Sequence, residues 1–154
     1  MGLIHERNGV PEGDQVPRGS VDRTCIEYCS GKQGPHTQGC KRVRLTIEDD
    51  LTTKKGLDRA MQAVDDAQRV SPGRLLLWAA IPCIGGCLWQ RLNRRYPRAR
   101  ARIEQHRVVW RRLWDNFVLV AEKAMLLGAV VVIESPQQCD YWGRKMCDTL
   151  PRAS

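Results

Sequence analysis

The sequence has no long apolar run, no apolar stretch at its N-terminus and no phosphate-binding glycine motif. Its longest apolar segments, 75–81 and 129–133, are far shorter than the ~20 residues of a membrane-spanning helix. Without an N-terminal apolar stretch, no secretory signal is visible. Because neither a P-loop nor a Gly-x-Gly-x-x-Gly motif occurs, we expect neither nucleotide hydrolysis nor classical dinucleotide binding. These absences predict an intracellular protein, nuclear or cytoplasmic, without membrane contact.

The cysteines do not indicate a disulfide framework. There are seven, an odd number, in a chain without a visible signal, and reducing compartments keep thiols free. We therefore expect these cysteines to be free thiols, catalytic groups or metal ligands.

Length and composition fit one globular domain preceded by a tail. The chain has 154 residues, of which 42% are hydrophobic and 27% charged, close to the ordinary globular mixture. Residues 1–22 are rich in glycine and proline and have no apolar periodicity, so we expect a disordered tail. The folded domain is predicted to span residues 23–150.

The positive charge of the chain is concentrated in one segment. The net charge of +8 arises from 25 basic and 17 acidic residues. Residues 91–112 contain nine arginines, no lysine and one acid, Glu104, so this segment accounts for the whole net charge. Such an excess is typical of a surface that binds a polyanion such as nucleic acid, although a solvated arginine-rich helix face would have the same pattern. The candidate nucleic-acid contacts are Arg91, Arg94, Arg95, Arg98, Arg100 and Arg102.

Alternating strand and helix patterns predict an α/β domain. The segments with a strand pattern are 24–29, 42–47, 75–81 and 129–134. Thr52 or Thr53 is expected to cap a helix that runs to Val70, and further helices are expected over 101–127 and within 141–150. Because the last two strands are apolar on both faces, we expect a mostly parallel sheet in a small three-layer sandwich.

The residues that follow the predicted strands form the candidate site, since ligands of parallel sheets bind beyond the carboxyl ends of the strands. Pro82 and Cys83 follow the third strand, and Glu134 ends the fourth. A cysteine close to clustered arginines is expected to have a lowered pKa, which favours the nucleophilic thiolate. The alternative is that Cys83 is a small buried side chain and Glu134 a solvated strand end.

The Pro-Cys pair after an apolar strand, followed by a helix and an apolar strand ending in glutamate, resembles the cytosine-C5 methyltransferases. This resemblance implies a Rossmann-like class I methyltransferase core that uses S-adenosylmethionine. It also implies that Cys83 attacks C6 of a flipped cytosine while Glu134 holds the ring at N3.

The resemblance extends to the cofactor-binding residues. Glu27 and Gly31 lie in a segment that looks like the first motif of the family, an apolar strand that runs into a glycine turn. Pro82 belongs to the Pro-Cys motif. Glu48, Asp49 and Asp50 follow the second strand, where an acid commonly takes the ribose hydroxyls in this fold. The residues expected to contact S-adenosylmethionine are Glu27, Gly31, Asp49, Asp50 and Pro82.

The sequence also departs from the family pattern. The first motif lacks Gly-x-Gly, Ser135 and Pro136 replace Asn-Val, and about four strands are predicted where the family has seven. These departures imply an inactive or truncated copy, or a core that a partner chain or a second copy completes.

Two other functions remain open. The first is a zinc-binding module, because Cys25, Cys29, His36 and Cys40 are zinc-ligand residue types in one segment. The second is a non-catalytic domain that binds nucleic acid through the basic segment. Among the tryptophans, Trp89 and Trp142 lie outside the apolar runs and stripes and are the better candidates for exposed contacts.

Overall fold

The computed structural model describes residues 23–31, 39–142 and 149–150. Its strands are β1 (Arg23–Tyr28), β2 (Cys40–Leu45), β3 (Leu75–Ala79) and β4 (Val130–Ile133). Its helices are α1 (Lys54–Val70), α2 (Leu88–Asn93) and α3 (Pro97–Leu126), with short 3-10 turns at Ile47–Asp49 and Asp140–Trp142. The tail predicted over 1–22 lies outside the described residues, as does most of the helix predicted within 141–150.

The four strands form one parallel sheet in the order β2-β1-β3-β4. The pairs β1–β2, β1–β3 and β3–β4 are all parallel. Each parallel connection that the structure describes in full contains a helix, as such connections require. The predicted α/β class with a parallel sheet is therefore confirmed.

The two long helices lie on one face of this sheet. The connections from β2 to β3 and from β3 to β4 run in the same direction across the sheet, so right-handed crossovers bring α1 and α3 to the same side. Lys123 of α3 bonds Asp65 of α1 at 2.6 Å, which joins the helices directly. No helix of the described ranges packs extensively on the opposite face, so a second helical layer of the predicted three-layer sandwich is not seen among these residues.

The core lies between the sheet and these helices. Tyr28 of β1 is buried, its ring packs 5.2 Å from that of Phe117, and its hydroxyl donates to the carbonyl of Leu113 at 3.0 Å. Side chains alternate along β1, so Cys25 and Glu27 face the other side of the sheet from Ile26 and Tyr28. The buried residues of α1 and α3 join this core, as their helical spacing predicts.

Helix α3 begins four residues earlier than the sequence pattern predicts, because Pro97 occupies its first turn, where a missing N–H costs nothing. It extends over 30 residues and is strongly charged on its exposed side. Among the helices of the described residues, none has both the length and the apolar character needed to cross a membrane.

Candidate functional site

The carboxyl ends of the four strands meet at one edge of the sheet. Strand β1 lies between β2 and β3. The chain passes from β1 to β2 on one side and then crosses over to β3 on the other side. In open parallel sheets this reversal marks the usual ligand-binding crevice. Two cavities open along this edge, and their lining residues include five of the seven predicted catalytic and cofactor-binding residues.

The larger cavity, here called the switch-point cleft, has a volume of about 840 Å³. Predicted cofactor residues Gly31, Asp50 and Pro82 line it. Its remaining lining combines an arginine and an acid with a largely apolar wall: Arg44 and Glu48, with Ile47, Leu51, Ile84, Val109 and Leu113 among the apolar residues. A concave site of this size and mixed lining is typical of small-molecule binding.

Asp49 does not line the switch-point cleft, contrary to the sequence-based expectation. Its carboxylate accepts the backbone N–H of Thr46 at 2.7 Å, which completes a capping box at the turn after β2. Asp50 lines the cleft instead, and its carboxylate accepts the hydroxyl of Thr52 at 2.6 Å. Glu48, the third acid that follows the second strand, also lines the cleft and is exposed.

The turn after β1 depends on a cysteine rather than on glycine. Cys29 has a φ of 60°, in the left-handed region that non-glycine residues seldom adopt. Gly31, the residue predicted to allow close cofactor approach, has open space around its Cα and no positive φ. Both residues line the switch-point cleft. Burial raises the pKa of Cys29 to about 12, so its thiol is protonated at neutral pH.

The second cavity, here called the edge cavity, has a volume of about 670 Å³ and contains two carboxylates. Its lining includes Glu27 and Trp78 from the sheet and Glu134 from the end of β4. Glu134 is exposed, whereas only 1% of the Glu27 side chain is exposed. The indole N–H of Trp78 is buried and has no hydrogen-bond partner among the described residues.

Glu27 is held in an ion-pair network and does not line the switch-point cleft. Arg42 places two guanidinium nitrogens 2.6 and 2.7 Å from one carboxylate oxygen. The other oxygen accepts the hydroxyl of Ser30 at 2.7 Å, and Arg44 lies 3.5 Å away. Because both oxygens are already engaged, we assign Glu27 a role in positioning these arginines rather than the predicted direct cofactor contact.

Arg42→Met is expected to lower the free energy of unfolding by ~2 kcal/mol, because it leaves the buried Glu27 carboxylate only partly compensated. Urea unfolding measures this loss. The double variant Glu27→Gln/Arg42→Met should recover part of it, since the unpaired charge is then gone. Arg112→Met, at an exposed arginine without an ion pair to any described residue, is the control. An Arg42→Met protein as stable as the control would contradict the assignment.

Cys83 lines neither of these two cavities, and the expectation of a lowered pKa is wrong. Burial raises the pKa of the Cys83 thiol to about 11, and the neighbouring thiols of Cys139 and Cys87 act in the same direction. No arginine contributes to this shift, and Arg91 and Arg107 bind the carboxylate of Asp140 at 2.7 and 3.3 Å. Cys83 is therefore protonated at neutral pH.

The loop that carries Cys83 is packed tightly against the segment after β4. The ring of Tyr141 stacks on Trp110 at 3.9 Å and covers Gly86, where a Cβ would lie 2.6 Å from that ring. The Tyr141 hydroxyl donates to the carbonyl of Ile84 at 2.7 Å, and the N–H of Asp140 donates to the carbonyl of Gly86 at 2.8 Å. These contacts join the loops after β3 and β4, although Cys83 and Glu134 do not share either cavity.

The predicted nucleic-acid arginines lie on α2, on the turn after it and on the first turns of α3. Arg91 is paired with Asp140, as described above. The remaining five have no carboxylate partner within the described part of the chain: Arg94, Arg95, Arg98, Arg100 and Arg102. No acid lies in the first turn of α3, so no nearby carboxylate neutralises these arginines or the positive end of the helix dipole.

The predicted zinc ligands are not brought together as a set. Cys40 of β2 acts on the pKa of Cys25 of β1, so these two thiols lie near each other, whereas Cys29 follows the end of β1 in a left-handed turn. His36 lies outside the described residues. Among 23–31, 39–142 and 149–150, no group of three or more histidine, cysteine or acidic side chains is arranged to hold a metal.

The edge of the sheet thus offers a cleft with carboxylates and an apolar wall, a second acidic cavity and a protonated thiol on an adjoining loop. The cleft can accept hydrogen bonds from hydroxyl groups and cover an aromatic ring. Comparison with family models, curated proteins and solved structures finds no match to this chain.

Proposed function

We propose that the chain binds a nucleoside cofactor in the switch-point cleft and that this cofactor is S-adenosylmethionine. The observation that carries the proposal is the position of a cavity of about 840 Å³ at the carboxyl ends of β1 and β2, beside Pro82. In parallel α/β sheets this position favours nucleotide-type ligands. The identity of the cofactor comes from the motif resemblance.

The residues of the cleft fit the three parts of this cofactor. The carboxylates of Glu48 and Asp50 can accept hydrogen bonds from ribose hydroxyls. Leu113 and the other apolar residues of the cleft can cover an adenine ring. Arg44, which is about one-third exposed, can pair with the carboxylate of the methionine part.

The proposed reaction is methyl transfer to a nucleic-acid base, on the basis of the resemblance. Bound S-adenosylmethionine would supply an electrophilic methyl group. Glu134, exposed at the edge cavity, would hold the base, and Cys83 would add to it after losing its thiol proton. Its raised pKa opposes that loss, and Cys83 and Glu134 share neither cavity. We therefore propose that this copy binds cofactor with little or no methyl transfer unless a partner chain or second copy completes the site.

Calorimetric titration with S-adenosylmethionine tests the cofactor proposal. We expect saturable binding at one site per chain, and the double variant Glu48→Gln/Asp50→Asn should weaken it at least tenfold, because hydrogen bonds to charged groups are lost. Glu122→Gln, an exposed acid on α3 outside the cleft, should bind as the unmodified protein does. Absence of saturable binding by the folded protein would overturn the proposal.

A second candidate function is nucleic-acid binding that requires no catalysis. The observation that favours it is the group of five arginines around the start of α3 that have no carboxylate partner within the described residues. Arginine is suited to phosphate because its planar guanidinium makes paired hydrogen bonds. This function is independent of the state of Cys83 and of cofactor binding.

A further inference from the structure

Four large apolar side chains are exposed where α2 meets α3. We call residues 88–98 the α2–α3 corner. Trp89 is 73% exposed, Tyr96 66%, and Leu88 and Leu92 are each about half exposed. Leu88, Trp89 and Leu92 follow helical spacing, so they lie on one face of α2. By contrast, Trp110 and Trp114 are buried in the core.

A group of four exposed apolar side chains within nine residues of the chain indicates a binding site, since monomeric soluble proteins rarely expose large apolar patches. Trp142 differs from Trp89, because it is only partly exposed and its indole N–H donates to the carbonyl of Pro136 at 2.9 Å. Trp89 is therefore the tryptophan whose ring faces are available to a partner.

The charge of the segment around this surface is entirely positive. Residues 88–103 contain six arginines and no acid. Arg95 and Arg98 are exposed and make no ion pair within the described residues, so their guanidinium groups are free to contact an anion. Arg100 is held close to the corner, because it donates two hydrogen bonds to the carbonyl of Arg94.

We propose that the α2–α3 corner binds single-stranded nucleic acid, with Trp89 and Tyr96 stacked on bases and Arg95 and Arg98 on phosphates. This inference rests on the nucleic-acid partner proposed above and specifies its strandedness. Exposed aromatic faces can stack only on bases that do not already stack within a duplex. Arginines without acids supply the sequence-independent attraction to the backbone.

The same features fit a membrane surface less well. Interfacial helices present a long amphipathic face, whereas α2 has six residues and is followed by a turn and Pro97. The all-arginine composition also favours nucleic acid, because guanidinium groups stack on bases as well as pairing with phosphates.

Fluorescence anisotropy with a short labelled single strand and the corresponding duplex tests the inference. Trp89→Ala should weaken single-strand binding by roughly 5- to 150-fold, the effect of losing one stacked base, while duplex binding changes little. Trp89→Phe, which keeps a ring, should retain most of the affinity. Leu126→Ala removes an apolar side chain that is even more exposed, at the C-terminal end of α3, and serves as the control.

A second variant and its control test the arginines of the corner. Arg95→Gln/Arg98→Gln should weaken binding of both single strand and duplex and flatten the salt dependence, because two phosphate contacts are removed. Lys55→Gln, at an exposed lysine on α1, should change neither.

The outcomes separate this inference from the function on which it rests. Binding of both nucleic acids that is unaffected by Trp89→Ala would overturn the inference and leave the nucleic-acid partner intact. Failure to bind either nucleic acid would overturn both. Trp89-dependent binding to anionic phosphatidylserine vesicles without nucleic-acid binding would assign the corner to a membrane surface instead.

Discussion

Gly56→Ala is expected to lower the free energy of unfolding by about 2–3 kcal/mol, although alanine is normally the better helix former. Gly56 is buried in the first turn of α1. A Cβ at this position would lie 2.6 Å from the carbonyl oxygen of Asp49 and even closer to that of Asp50. Both atoms belong to the backbone, so no side-chain rotation can relieve the overlap, and α1 must move away from the turn.

Urea unfolding measures this effect, with Gly31→Ala as the matched control. A Cβ added at Gly31 would have no atom within 4 Å, and Gly31 has no positive φ, so its substitution should leave stability nearly unchanged. The Gly56→Ala protein should also bind S-adenosylmethionine more weakly, because Asp50, which lines the switch-point cleft, belongs to the turn that is displaced. A Gly56→Ala protein as stable as the control would contradict the close packing of α1 against this turn.

The regular elements could be predicted because their signals are local. The apolar runs of β3 and β4 indicated buried parallel strands, and Thr53 caps α1 by accepting the N–H of Gly56, as one of the two proposed caps. Helix α1 ends at Val70, just before the Ser-Pro-Gly break. Each of these features depends on residues that are neighbours in the chain.

The candidate site could be predicted only in part, because its partners are distant in sequence. The sequence pattern placed Gly31, Asp50 and Pro82 after predicted strands, and these residues line the cleft. It could not indicate that Glu27 is neutralised by Arg42 from the neighbouring strand. Nor could it indicate that α2 forms, since a helix of six residues has too little periodicity to detect.

Two residues near the cleft have local structural roles that differ from those the sequence predicted. Asp49 stands in the position of a ribose-binding acid but is used by a capping box. Cys29 takes the left-handed conformation that a glycine would adopt more easily. A positive φ at cysteine has no sequence signal, whereas the Thr46–Asp49 spacing is a capping pattern that could have been recognised.

Alkylation of Cys83 is expected to rise about tenfold per pH unit from neutral pH up to its pKa of about 11. Only the thiolate reacts, and burial favours the neutral thiol, so roughly one molecule in ten thousand is reactive at pH 7. Site-resolved mass spectrometry after short iodoacetamide treatment measures the rate at Cys83 separately from the other cysteines. Cys139→Ala removes a neighbouring thiol that raises the pKa of Cys83, so the curve should shift toward lower pH. The pKa should remain raised, because burial is the larger cause and is still present.

The shape of this curve decides between two forms of the proposed function. A rate that already levels off near neutral pH would contradict the raised pKa and identify an activated nucleophile, and Cys83→Ala should then abolish methyl transfer while cofactor binding persists. A rate that climbs without a plateau leaves the thiol protonated when S-adenosylmethionine binds. In that case the switch-point cleft would hold a cofactor while the protonated Cys83 could not attack a base. Any reaction would then need a proton acceptor from a second chain or from the nucleic acid itself.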